Sequence, residues 1–179
     1  MLAVAVDFDN TLYDLLSRVE EYLSDKGITF KKDNVVGYGF EGDIGCSKEE
    51  VYASFEDPEF FEGLKLFDGT RQALNELKEV AEVFAYTLGC DAGYDIRMRQ
   101  ITSVGLRKYM PFREKKPYIK GFDVLIEDNP KVVAMWRKAG FEGTIYLVDY
   151  PYNKHIDSKM AVRVSSFSEA VELIKESCR

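Results

Sequence analysis

The sequence predicts an α/β protein: a doubly wound, Rossmann-like parallel sheet with a small helical cap inserted near its start. Three observations carry that expectation. An apolar run, Leu2-Ala3-Val4-Ala5-Val6, stops abruptly at two acids, Asp7 and Asp9. From Asp68 onward, short apolar runs alternate with amphipathic segments at helical spacing, the rhythm of strands joined by crossover helices. Between these parts, from Ile28 to Leu66, the pattern becomes irregular and rich in Gly and aromatic residues, with no strand alternation.

Taken in order, the first run reads as a buried strand. Leu12, Leu15, Leu16, Val19, Tyr22 and Leu23 then repeat on one helical face, so a helix is expected from Leu12 to Lys26, with Gly27 as its stop. A short helix is expected from Ser47 to Phe55 in the irregular block. Helix Thr70 to Glu79, strand Val80 to Tyr86 and a helix from about Asp91 to Gly105 follow. Next come strand Phe122 to Ile126, helix Pro130 to Ala139, strand Thr144 to Val148, a short strand Ala161 to Val164 and a last helix through Glu169 to Lys175. Asn129-Pro130 fits N-cap and first helical position, and Gly140 fits the position just past the end. The expected division is a core of residues 1–14 and 67–179 and a cap of residues 15–66.

The 179 residues, 46% hydrophobic and 31% charged, suffice for one good core and a small second lobe. The apolar start is far too short for a secretory h-region or a spanning helix, so a soluble, cytoplasmic protein with no membrane partner is expected. Cys46, Cys90 and Cys178 are odd in number and lack paired spacing, which suggests neither a disulfide framework nor a zinc site. A net charge of −7 argues against a duplex nucleic-acid binder, whose affinity rests on basic surfaces. Basic residues nevertheless gather between Ile96 and Phe122: Arg97, Arg99, Arg107, Lys108, Arg113, Lys115, Lys116 and Lys120, opposed only by Glu114. That run reads either as a solvated face or as local attraction for an anionic substrate.

Reactive side chains fall at strand ends. Asp7 and Asp9 follow the first strand, Thr87 follows Val83-Phe84-Ala85-Tyr86, and Glu127-Asp128 follow Asp123-Val124-Leu125-Ile126. In a parallel sheet these ends share one edge, where an α/β enzyme keeps its site. On extended backbone Asp7 and Asp9 point to one side while Phe8 points into packing. Asp7, Asp9 and Asp128 are hard oxygen donors suited to Mg²⁺, which would offset their clustered charge and let a phosphate approach. One carboxylate can serve as nucleophile and the other as proton-transfer group, with the Thr87 hydroxyl and the Lys116 charge on the transferring phosphoryl group. Gly37-Tyr38-Gly39-Phe40-Glu41-Gly42 matches a dinucleotide fingerprint only on paper, because it follows no strand and opens no helix at once. A cap loop is the better reading. Tyr38 and Phe40, with Phe55, Phe60 and Phe61, offer rings that could stack on a nucleobase or simply form the cap's own core.

Asp7-Phe8-Asp9-Asn10-Thr11-Leu12-Tyr13 resembles the first motif of the haloacid dehalogenase-like phosphatases, and Phe84-Ala85-Tyr86-Thr87 resembles the second. Lys116, preferred over its neighbour Lys115, is similar to the third, and Leu125-Ile126-Glu127-Asp128-Asn129-Pro130 to the fourth. The resemblance spans nearly the whole chain. It implies Asp7 as nucleophile, Asp9 as general acid and base, and Asp7, the Asp9 backbone carbonyl and Asp128 as Mg²⁺ ligands.

Within that superfamily the chain is most similar to the small 5′(3′)-deoxyribonucleotidases and related nucleotidases. Its cap follows motif one, and it carries Asp57-Pro58-Glu59-Phe60-Phe61-Glu62-Gly63-Leu64 and Asp149-Tyr150-Pro151-Tyr152-Asn153. It departs from them with Asn10-Thr11 where Gly-Val is common, and with Glu127 where Asp is usual. The expected activity is Mg²⁺-dependent hydrolysis of phosphomonoesters through an aspartyl-phosphate, with (deoxy)nucleoside monophosphates as substrates. A sugar-phosphate phosphatase and a catalytically idle Mg²⁺ or phosphate-binding module are the alternatives, and a homo-oligomer is left open. A dehalogenase is disfavoured, because Asp9 has no oxygen to protonate when halide leaves.

Overall fold

The computed structural model describes residues 1–87, 91–108 and 119–178. Among the described residues six strands, β1 (Leu2–Val6), β2 (Ala81–Ala85), β3 (Arg107–Lys108), β4 (Val124–Glu127), β5 (Thr144–Val148) and β6 (Val162–Val164), form one sheet in the order β3-β2-β1-β4-β5-β6. Every pairing is parallel. The chain builds outward from β1 on one side as far as β3, then crosses back to lay β4 against β1's other edge. That reversal opens a crevice at the carboxyl ends of β1 and β4. Register fixes what reaches it. Val6 lies opposite both Ala85 and Ile126, so the residues just beyond them, starting with Asp7, Tyr86 and Glu127, leave the sheet at one level.

Alternation along β1 divides the core between the two faces. Val4 and Val6 pack in the larger cluster, with Leu74 and Leu77 of α4 (Thr70–Val80) and Val171 and Ile174 of α7 (Phe167–Ser177). Ala5 faces the other way, toward Leu125, Leu147 and the fully buried Trp136 of α6 (Pro130–Lys138). Asn129 caps α6 by accepting from the Lys131 N–H, Pro130 occupies its first turn, and Gly140 follows at φ 86°, as its sequence signals indicate.

Between β1 and α4 the chain carries α1 (Leu15–Asp25), α2 (Lys48–Ser54) and α3 (Pro58–Glu62) and no strand of the sheet. Its two ends lie together: the Phe67 N–H donates to the Leu12 carbonyl at 3.0 Å and the Asp14 N–H to that of Lys65 at 3.0 Å. Arg18 of α1 reaches α3, its Nε donating to the Phe60 carbonyl at 2.8 Å and its Nη2 to that of Glu59 at 3.0 Å. A Cβ on Gly63 would sit 2.2 Å from the Arg18 guanidinium carbon, so a side chain there would displace the guanidinium from this close crossing.

Three elements differ from expectation. Helix α1 begins at Leu15 rather than Leu12, because the Phe8 carbonyl gathers the N–H groups of Leu12 and Tyr13 at 2.9 and 2.8 Å into a turn. Strand β3 consists of two basic residues paired with Phe84 and Ala85, and carries no apolar run for a sequence pattern to detect. Helix α3 is a single capped turn, with Asp57 accepting from the Glu59 N–H, too short to show periodicity.

Candidate active site

Carboxylate oxygens of Asp7, Glu127 and Asp128 lie within 4.8 Å of one another at the sheet edge. Asp7 leaves β1 with its N–H on the Ile126 carbonyl at 2.9 Å, which ties it to the strand that delivers the other two acids. Glu127 turns one oxygen inward: its Oε1 accepts from the Asp128 N–H at 3.1 Å and the Asn129 N–H at 2.9 Å. That carboxylate therefore shapes the turn as well as adding charge. Both Glu127 and Asp128 are buried.

The Asp128 carboxylate is held from the β5–β6 connection. The Tyr152 hydroxyl donates to Asp128 Oδ2, and Asn10 Nδ2 donates to the same tyrosine oxygen at 3.3 Å. Burial, then the Asp128 charge, pushes the Tyr152 phenol well above the usual tyrosine range, so it stays a neutral donor. Tyr150 stacks on it with ring centroids 5.0 Å apart and planes within 3°. Asn153, fully buried, donates from Nδ2 to the Asp128 carbonyl at 2.9 Å and to that of Val148 at 2.7 Å. One short segment thus fixes both the backbone and the side chain of Asp128.

The turn after Asp9 explains a departure noted above. Asn10 has φ 59°, in the left-handed region where glycine is the default and asparagine the best-tolerated alternative. Its side chain then works for the site, Oδ1 accepting the Leu16 N–H at 3.1 Å.

Asp9 stands apart from the acidic trio. Arg97 Nη2 donates to its Oδ1 at 2.6 Å and its Oδ2 at 2.8 Å. Arg97 lies on α5 (Tyr94–Ser103) and is 1% exposed, so the basic run is not one solvated face. Arg99, two residues on, is the exposed kind, 3.4 Å from Glu62. Thr87 is buried just past the end of β2, at the same edge as Asp7. Lys115 and Lys116, and with them the third motif, lie outside the described residues, as does Cys90.

A cavity of about 350 Å³ opens beside the acids. Asp9, Asn10, Asp128 and Tyr152 form one wall; Leu15, Leu16, Val35, Tyr38, Phe40, Tyr52, Phe55 and Phe61 form the other. Tyr38 and Phe40 are therefore both at the cavity, Tyr38 edge-on to Tyr152 at 5.7 Å and Phe40 packed against Tyr52 and Phe55. Phe60 is fully buried behind this wall as core. The segment Gly37–Gly42 is a tight turn, with the Gly39 N–H donating to Glu41 Oε2 at 2.8 Å, and no helix begins there. In the sequence Arg97 stands out only as part of the basic run, and Tyr152 and Asn153 only within a family likeness. Their roles depend on contacts across 88 and 24–25 residues that no local pattern displays.

A doubly wound parallel sheet with clustered acids beyond its central strands, and a helical insertion directly after the first, is the haloacid dehalogenase-like fold. Over residues 1–178 the sequence matches the family described as "5' nucleotidase, deoxy (Pyrimidine), cytosolic type C protein", and the chain belongs to that family. Solved structures share the fold. A haloacid dehalogenase-like hydrolase from Streptococcus pneumoniae superposes with a TM-score of 0.62 at 12% identity, covering 99% of this chain and 98% of that one. A family hydrolase from Deinococcus radiodurans R1 with bound phosphate and sodium gives 0.59 at 18% identity, covering 98% and 95%. An L-2-haloacid dehalogenase gives 0.59 at 12% identity, covering 97% and 99%, so fold alone does not choose between carbon–halogen and phosphoester chemistry. No curated protein matches the chain in sequence. Among the described residues, no helix is long and apolar enough to cross a membrane.

Proposed function

We propose that this protein is a Mg²⁺-dependent phosphomonoester hydrolase acting through an aspartyl-phosphate, with (deoxy)nucleoside monophosphates as substrates. The observation that carries the reading is the pairing of an acidic sheet edge with an aromatic-walled cavity that shares Asp128 with it and is also lined by Asp9. Three carboxylates whose oxygens come within 4.8 Å form a hard oxygen donor set that fits Mg²⁺. Asp7 and Asp128 would hold the ion together with the backbone carbonyl of Asp9, and Glu127 would support them. Bound there, Mg²⁺ neutralises the acidic edge and polarises the phosphoryl oxygens, so that a phosphate dianion can approach a carboxylate.

In this mechanism an Asp7 oxygen attacks phosphorus as the ester P–O bond breaks, and the protonated Asp9 carboxyl gives its proton to the departing oxygen. Asp9, now a carboxylate, takes a proton from water as the water oxygen attacks phosphorus. The Asp7–phosphorus bond breaks and inorganic phosphate leaves. Thr87 donates a hydrogen bond to the phosphoryl group, and Lys116 supplies its positive charge. Residues 15–66 act as the cap, seating the nucleoside among Tyr38, Phe40 and their neighbours while the sheet edge holds the phosphate. A hydrolase of the same fold from Deinococcus radiodurans R1 has phosphate and sodium bound, in keeping with a phosphorylated substrate. The match to a family described as cytosolic deoxynucleotidases supports the nucleotide substrate and a cytoplasmic location.

The test is phosphate release with Mg²⁺ across ribo- and deoxyribonucleoside monophosphates, sugar phosphates and a simple aryl phosphate, with EDTA as control. Turnover strongest on nucleotides and lost with EDTA is expected. Success of a sugar phosphate beside failure of every nucleotide would overturn the substrate assignment, and no release from any ester under any divalent metal would identify a binding module.

A further inference from the structure

Arg97 is among the largest fully buried side chains of the described residues, and its charge is spent on a single carboxylate, that of Asp9. One nitrogen, Nη2, bridges both Asp9 oxygens at 2.6 and 2.8 Å, while Nε and Nη1 find no acceptor among the described residues. The guanidinium lies in an aromatic slot. Its carbon is 5.4 Å from the ring centre of Phe8, which leads into Asp9, and 6.0 Å from that of Phe61 on α3. Helix α5 is seated against α3 at that point: Gln100 Nε2 donates to the Phe61 carbonyl at 2.9 Å, and a Cβ on Gly93 would lie 2.6 Å from the Phe61 ring. Asp9 itself keeps 29% of its side chain exposed and lines the same cavity as Phe61.

From this geometry we infer that Arg97 is the positioning residue of the proton-transfer carboxylate, a clamp on Asp9 whose slot is closed by Phe61 of the inserted segment. The inference rests on the proposed role of Asp9 in proton transfer. A carboxylate offers about four lone-pair sites, so a nitrogen bridging both oxygens leaves about one site on each for the proton in flight. Fixing the carboxylate matters because a misplacement of about 1 Å can cost about 10²-fold in rate. A flat, planar guanidinium fills a slot between two rings; a lysine ammonium keeps the charge there without that stacking geometry. The link to Phe61 makes the orientation of Asp9 depend on how the inserted segment sits.

The experiment compares an alkyl phosphomonoester, whose leaving oxygen needs a proton, with dinitrophenyl phosphate, whose phenolate departs without one. Arg97→Met is expected to lower kcat on the alkyl ester about 10- to 100-fold, with little change in KM, and on the dinitrophenyl ester less than about threefold. Asp9→Asn should show the same split more strongly, and the double variant should be no worse than Asp9→Asn alone. Should Arg97→Met fail to fold, Arg97→Lys is expected to give the same split at smaller size. If Asp9→Asn shows no split, the proton-transfer role of Asp9 fails. If Asp9→Asn shows it and both Arg97 variants lower the two esters equally or not at all, the clamp is overturned while that role stands. A rise in alkyl-ester turnover on losing Arg97 would also overturn it, because Arg97 would then be holding Asp9 out of position.

Discussion

The two walls of the cavity are built on opposite plans. The acidic wall is made of strand ends in fixed register, cross-braced by Tyr152, Asn153 and Arg97, and its polar groups are directed at one another. The opposite wall is made of rings from an insertion without sheet strands, packed edge-on and tilted at 5.7–6.1 Å around Phe40, Tyr52 and Phe55. Edge-on packing among rings supplies shape and apolar contact and demands no exact partner. Under the proposed function the difference would separate two tasks: the polar wall would set the reaction, and the ring-lined wall would set which molecule is presented to it.

Substitutions on the two walls should therefore fail in different ways. The largest effect is expected at Asp7, the proposed nucleophile. Asp7→Asn should lower turnover of every phosphomonoester by about 10⁴-fold or more, with an unchanged thermal melt, as measured by phosphate release. Substantial residual turnover would remove Asp7 from the reaction. Tyr152→Phe removes the hydroxyl that restrains Asp128 and should weaken Mg²⁺ or Mn²⁺ binding about 10- to 100-fold in a direct titration. On the other wall, Tyr38→Ala should raise KM for nucleoside monophosphates about tenfold and leave a simple alkyl phosphate nearly unchanged. Tyr38 is 37% exposed, so little stability is lost with it and the change in KM reports binding. Equal losses on both substrates would blur the division between the walls.

Legibility in the sequence follows the same division. The strands of the acidic wall announce themselves because apolar runs must stop where polar chemistry starts, which is why Asp7, Asp9, Thr87 and Asp128 stand out at strand ends. Helix α6 is readable to within a residue because Asn129, Pro130 and Gly140 each have a local physical reason to be where they are. Arg97 is hidden for the converse reason: a buried arginine inside a basic run looks like its exposed neighbours until its carboxylate partner, 88 residues away, is brought to it. The insertion is hardest to read, since α3 is a single turn and aromatic residues there serve both as core, like Phe60, and as cavity wall, like Phe61. Only the packing sorts one from the other.

The central claim is that Asp7 carries the phosphoryl group between substrate and water. Its most direct test is partitioning: hydrolysis of several phosphomonoesters with different leaving groups, in the presence of a fixed concentration of a small alcohol as competing acceptor. A shared aspartyl-phosphate predicts one constant ratio of phosphorylated alcohol to inorganic phosphate for all of them, with both products lost together in Asp7→Asn. A ratio that changes with the leaving group would mean that water attacks the substrate directly, and would contradict the account.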